Sequence, residues 1–102
     1  MEKFNEIDRF VSEGRLAEAI EALGLLIDET TVGKTEADET TDKELAGMYF
    51  RRGKLYWRLS RRGEAQSDYA RAVALDPQSP ARVALGQARE VESFFNPDLY
   101  NP

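Results

Sequence analysis

The chain has 102 residues and a net charge of −5, and its balance of 41% hydrophobic and 32% charged residues suits one globular domain. It contains no Cys and no His, which excludes disulfides, zinc–thiolate sites and imidazole acid–base chemistry for this sequence. Composition alone leaves open a calcium or magnesium site built from carboxylates.

The first 29 residues are predicted to form a helical hairpin. Apolar side chains recur at spacings of three and four over residues 2–13 and again over 15–29, as they do on one face of a helix. Gly14, between the two runs, can adopt the positive φ of a tight turn. Two helices joined by so short a turn should lie antiparallel to each other.

Residues 30–43 carry one β-branched apolar side chain and no periodicity, which predicts an acidic, solvated and mobile loop. We expect folding to survive shortening over 31–40, because loop entropy changes slowly with length. The acidic residues of this segment lack the spacing of a calcium loop, so no metal is predicted. At its end, Thr41 and Glu44 have the spacing of a capping box with Thr41 as the N-cap.

Residues 42–60 are predicted to be the third and central helix, since this segment is the most aromatic of the chain. The turn at 60–63, which contains Gly63, ends it. A fourth helix is predicted over 64–75, and Asp76-Pro77 closes it because proline disfavours helix in the residue before it. No stretch alternates as a strand would, so the predicted fold is all-α.

The last part of the chain is predicted to be a capping helix over 79–95 followed by a tail, 96–102. Ser79 is the predicted N-cap and Pro80 the first helical residue. The tail is expected to fold back onto its own chain, because four large apolar residues lie around the helix stop at Asn96-Pro97. They are Phe94, Phe95, Leu99 and Tyr100. The alternative is that the tail reaches a second copy or a partner protein.

Charge is distributed unevenly along the chain. Residues 1–47 carry a net charge of −8, residues 48–75 carry +5 and residues 76–102 carry −2. The basic segment consists of Arg51, Arg52, Lys54, Arg58, Arg61 and Arg62. It suits either an anionic partner such as nucleic acid, or a solvated face that pairs with the acidic first half. The second interpretation is preferred, since the net charge is negative and no nucleic-acid motif is present.

Two features of the sequence bear on where the protein is located. No apolar run approaches the ~20 residues needed to span a bilayer, and no membrane association is predicted. The first residues, Met-Glu-Lys-Phe-Asn-Glu, lack the apolar stretch of a signal peptide. We therefore expect a cytoplasmic protein.

A longer pattern runs through residues 46–79. It reads Tyr49-x-x-Arg52-Gly53-x-x-Tyr56, then Ala65-x-x-x-Tyr69, Ala72 and Pro77. This pattern resembles the tetratricopeptide repeat, a 34-residue helix–turn–helix unit in which small residues lie where the two helices approach most closely. One position departs, since Arg52 stands where the family usually has Leu. Residues 1–31 are similar to a degenerate copy, with Phe10 aligned to Tyr56 and Ile7 in place of Gly53.

The resemblance implies two α-hairpins, a degenerate one over 1–29 and a well-matched one over 44–77, followed by the capping helix. It also implies a non-enzymatic adaptor or scaffold without a cofactor, like the short stand-alone members found in bacteria, which binds a peptide or protein segment. In this family the first helix of each hairpin lines a concave groove. The matching positions are Gly47, Phe50, Lys54, Trp57 and Arg58 in the second hairpin, and Phe4, Asp8, Val11 and Ser12 in the first.

Phe50, Lys54, Trp57 and Arg58 are the candidate binding residues, because an aromatic pair flanked by cations suits an acidic or C-terminal peptide. The Lys and Asn combination with which some members clamp a peptide carboxylate is absent. Three alternatives stay open: the two aromatics only pack on neighbouring helices, the protein is a self-associating homodimer, or the basic helix binds RNA or another anion.

Overall fold

The computed structural model describes residues 2–34 and 38–95, which form five α-helices and no β-strand. The helices are α1 (Glu2–Ser12), α2 (Leu16–Gly33), α3 (Glu39–Arg58), α4 (Arg62–Leu75) and α5 (Ala81–Phe95). The all-α prediction is confirmed. The tail predicted to fold back, residues 96–102, lies outside the described residues, as do the side chains of Phe94 and Phe95.

The two helical hairpins, α1–α2 and α3–α4, are joined by turns of the same conformation. Gly14 has a φ of 76° in the first turn, and Ser60 has a φ of 61° at the corresponding place in the second. The amide that follows, of Arg15 or Arg61, donates to the carbonyl five residues back at 2.8 and 2.9 Å. The second turn is therefore made by Ser60, and Gly63, predicted to lie in it, is already inside α4.

The loop predicted over 30–43 is wrong at both ends, because helices occupy residues 30–33 and 39–43. Thr30 and Thr31 belong to α2, and their hydroxyls donate to carbonyls four residues back, each at 2.8 Å, as threonines inside a helix do. Lys34, just after α2, forms an ion pair with Asp42 in α3. Removing residues 31–40 would therefore delete helical residues from both helices, and the predicted tolerance no longer follows.

The capping box predicted at Thr41 and Glu44 is also wrong, because the N-cap of α3 is Asp38. Its carboxylate accepts a hydrogen bond from the Thr40 amide at 3.0 Å and another from the Thr41 hydroxyl at 3.0 Å. Asp38 thus satisfies an amide of the first turn and moves the start of the helix three residues upstream.

We expect Asp38→Ala to lower the free energy of unfolding by about 1 kcal/mol, because an amide at the start of α3 loses its acceptor. Thr41→Ala is the matched control and should cost less than about 0.5 kcal/mol, since the Thr41 hydroxyl caps no amide. Urea denaturation of both variants measures the difference. An equal loss of stability for Thr41→Ala and Asp38→Ala would indicate that Thr41 is the N-cap of α3.

Packing is organised around α3, as its aromatic content predicted. One apolar cluster lies between α1, α2 and α3, and includes Ile7, Leu23, Ile27 and Leu45. The second lies between α3, α4 and α5, and includes Ala46, Ala65, Tyr69, Ala72, Leu85 and Ala88. Since α3 contributes to both clusters, it fixes the first hairpin relative to the second and presents its remaining face outward.

The last helix, α5, packs one side on α4 and ends the described part of the stack. The hydroxyl of Ser79 accepts a hydrogen bond from the Ala81 amide at 3.1 Å, as expected of the predicted N-cap. The prediction that Pro80 is the first helical residue is wrong, because α5 begins at Ala81. Arg82 and Arg89 lie on exposed positions of the same helix. A largely polar outer surface of this kind suits the end of a helical stack.

Candidate functional site

An open groove of about 840 Å³ lies between α3 and α5, with Tyr69 of α4 also lining it. All four candidate binding residues, Phe50, Lys54, Trp57 and Arg58, line this groove from α3. The opposite side is formed by Pro80, Val83, Ala84, Gln87, Ala88, Glu90 and Val91. The structure therefore brings the four sequence-predicted residues together on one wall of one groove.

The two aromatic residues of this wall contact both the apolar core and the groove. Phe50 and Trp57 are half-buried and pack on the apolar cluster between α3, α4 and α5, while they also line the groove. The ring of Phe50 lies 6.0 Å from that of Tyr69, centroid to centroid, at an interplanar angle of 50°. Packing on the neighbouring helices and lining the groove are thus not alternatives here, since one side chain does both.

Tyr69 is the largest groove residue contributed by α4. Its side chain is 4% exposed, and burial, followed by the charge of Asp68, raises the pKa of its phenol above the usual value. The ring therefore stays uncharged near neutral pH and forms an apolar part of the groove.

The two cations of the wall, Lys54 and Arg58, are exposed and lie one helical turn apart. The Lys54 ammonium lies 4.7 Å from the centroid of the Phe50 ring, within the range of a cation–π contact. No carboxylate of the described residues lies within ion-pair distance of Lys54 or Arg58. Of the described groove residues, Glu90 on α5 is the acidic one.

The other cations of the basic segment are engaged elsewhere. Three form ion pairs: Arg51 with Asp8, Arg52 with Asp68, and Arg61 with Glu64. The guanidinium of Arg62 lies 5.5 Å from the Trp57 ring centroid. The expected pairing of the segment with the acidic first half thus holds for Arg51, whereas Arg52 and Arg61 pair with α4.

A second cavity, of about 660 Å³, lies between α1 and α3 and is lined in part by Phe4, Gly47 and Met48. Lys54 and Phe50 border this cavity as well as the first groove. Of the positions predicted in the first hairpin, Phe4 lines this cavity and Val11 lines a smaller one of about 260 Å³. Asp8 is paired with Arg51, and the Ser12 hydroxyl donates to the Arg9 carbonyl at 2.9 Å.

Sequence reasoning missed the α5 wall of the groove. Ala84, Ala88 and Val91 lie 34 residues after Phe50, Lys54 and Trp57, so the repeat period gives the positions that face each other across the groove. The sequence interpretation treated residues 79–95 only as a capping helix.

Residues 2–34 and 38–95 contain neither a helix suited to cross a membrane nor a cluster of metal-binding side chains. No helix in these ranges is both long enough and apolar enough to cross a membrane. No group of three or more Cys, His, Asp or Glu side chains in them is arranged to hold a metal ion.

Comparison with known proteins gives one match. Residues 46–79 match a family model described as tetratricopeptide repeat, and the match spans α4 and most of α3. No curated protein and no solved structure matches the chain significantly.

Proposed function

We propose that this protein is a cytoplasmic, non-enzymatic adaptor, because residues 46–79 match the model of the tetratricopeptide repeat, a unit that generally mediates protein–protein interaction. It holds a peptide or a segment of another protein in the groove between α3 and α5. The observation that carries the proposal is the convergence of Phe50, Lys54, Trp57 and Arg58 with the apolar side of α5 on one open groove.

The groove has the chemistry of a protein-binding surface. Trp and Arg are among the side chains that most often dominate the energy of protein interfaces, and the groove contains Trp57 and Arg58. Its aromatic rings are already fixed by packing on the α3–α4–α5 cluster, so little conformational entropy is lost when a partner binds.

The ion pairs of the basic segment favour a protein partner over nucleic acid. Binding to a phosphate backbone needs several free cations, and its strength scales with their number. Arg51, Arg52 and Arg61 are already paired with carboxylates of the same chain. Lys54 and Arg58 flank an apolar groove and suit a protein segment with both charged and apolar side chains.

A capture experiment with a matched control tests the proposal. The immobilised protein should retain a partner from a lysate of the native cells, and Trp57→Ala should reduce retention at least about tenfold. Leu25→Ala is the control, because Leu25 is 61% exposed on α2 and does not line the groove. Thermal unfolding checks that both variants stay folded.

If the wild type and Trp57→Ala retain the partner equally, the groove does not bind the partner. Sedimentation at two concentrations gives a separate answer on self-association. If the retained partner is a second copy, and the wild type dimerises while Trp57→Ala does not, the protein is a homodimer held through the groove and not an adaptor.

A further inference from the structure

We infer that the segment held in the groove is acidic, with side-chain carboxylates that pair with Lys54 and Arg58 and a large apolar side chain between them. The inference rests on the proposed function and adds the chemistry of the partner. It concerns side chains within a segment rather than a terminal carboxylate.

Some cations of α3 form ion pairs within the chain, and others have no carboxylate partner among the described residues. Arg51 and Arg52 have carboxylate partners within the chain, whereas Lys54 and Arg58 have none among the described residues. Both of these cations line the groove, and both also border the smaller cavity that Val11 lines. The cations without a partner on this helix therefore lie where a ligand would supply one.

The charge of the groove differs from that of the chain as a whole. The chain carries a net charge of −5, but the groove carries two cations and, among its described residues, one carboxylate, that of Glu90. A positive, partly apolar groove on a negative protein attracts an anionic segment to this surface in preference to the others.

The spacing of the two cations matches that of neighbouring same-side residues on an extended segment. Lys54 and Arg58 are four residues apart on a helix, which places them about 6 Å apart along its axis. In an extended segment, residues i and i+2 point to the same side and are separated by about 6.6 Å. Two acidic residues flanking one other residue therefore match the two cations. The residue between them points to the opposite wall, where Val83 and Ala84 offer an apolar surface.

The experiment uses the full chain and a displayed library of random dodecapeptides. Selected peptides, synthesised without tryptophan, are titrated while the fluorescence of Trp57 is followed. Trp57 is the single tryptophan of the chain and lines the groove, so its signal reports groove occupancy. We expect enrichment of the pattern acidic–apolar–acidic and binding that weakens as salt screens the two ion pairs.

Charge reversal with a matched control completes the test. Lys54→Glu with Arg58→Glu should weaken binding of the selected peptides at least about tenfold, because attraction becomes like-charge repulsion. Arg82→Glu with Arg89→Glu makes the same change in net charge at exposed positions of α5 that do not line the groove. This control should change binding less than about twofold.

The outcomes separate the inference from the proposed function. Peptides that change Trp57 fluorescence without an excess of acidic residues would overturn the inference and leave the proposed function standing. Equal losses for the two charge reversals would also overturn it. If no selected peptide changes Trp57 fluorescence, the proposed function fails with it.

Discussion

Asp68→Ala should lower the free energy of unfolding by about 3 kcal/mol, because it leaves the Arg52 side chain, only 16% exposed, without its carboxylate partner. Arg52 donates to Asp68 through Nε at 2.7 Å and Nη2 at 2.8 Å, and Asp68 is 1% exposed. These hydrogen bonds raise the pKa of Arg52 above its usual value. The variant lacks them, but its guanidinium stays charged because arginine is not deprotonated in proteins. The loss is a large fraction of the total stability of a domain of this size.

The double variant Arg52→Leu with Asp68→Ala should recover most of this loss. Its free energy of unfolding should lie within about 1 kcal/mol of that of the wild type. Leu is the residue that tetratricopeptide repeats usually have at this position, and it removes the charge that Asp68 neutralises. Urea denaturation of the two single variants and the double variant gives the coupling energy.

The exposed ion pair between Arg61 and Glu64 is the control for this cycle. Both of its side chains are about half exposed, and Glu64→Ala should cost less than about 1 kcal/mol. A similar small cost for Asp68→Ala would mean that the Arg52–Asp68 pair does not hold α3 against α4.

Gly53→Leu should lower the free energy of unfolding by about 1–3 kcal/mol or prevent folding, because α3 and α4 cross at this residue. A Cβ at Gly53 would lie 2.7 Å from Tyr69 Cε1 and 3.2 Å from the backbone oxygen of Ala65. The tyrosine ring is buried and the backbone oxygen belongs to α4, so neither can move without disturbing the packing. Thermal unfolding measures the loss.

Gly47→Ala is the control for the Gly53 substitution. Gly47 lies on the same helix, but nothing is within 4 Å of a Cβ built there. Alanine should therefore stabilise α3 by up to about 1 kcal/mol through its better helix propensity. Opposite signs at the two glycines identify Gly53 as a packing position, whereas a loss at both would point to a general intolerance of substitution in α3.

Local patterns in the sequence were sufficient for the hairpins and for one wall of the groove. The turn at Gly14, the small residue Gly53 opposite Tyr69, and the spacing of Phe50 and Trp57 on one helix face follow from periodicity and repeat position. The sequence gives less where two local rules compete. Asp38 and Thr41 are both good N-cap residues, and only the placement of the chain selects Asp38.

The partner of Arg52 depends on tertiary structure and could not be read from local pattern. Arg52 was recognisable as a departure from the repeat, but Asp68 lies sixteen residues away on the next helix and looks like any solvated carboxylate in the sequence. Its burial follows from the crossing of α3 and α4. A charged residue at an apolar repeat position is a signal to search the facing helix for an opposite charge.

Site-specific photo-crosslinking tests the central claim most directly, namely that the groove between α3 and α5 holds another protein. A photoreactive amino acid replaces Val83, 65% exposed and lining the groove, or Leu25, 61% exposed on α2 outside it. In native cells, a specific partner should crosslink through position 83 and not through position 25. Crosslinking through position 25 alone, or equally through both, would contradict the claim.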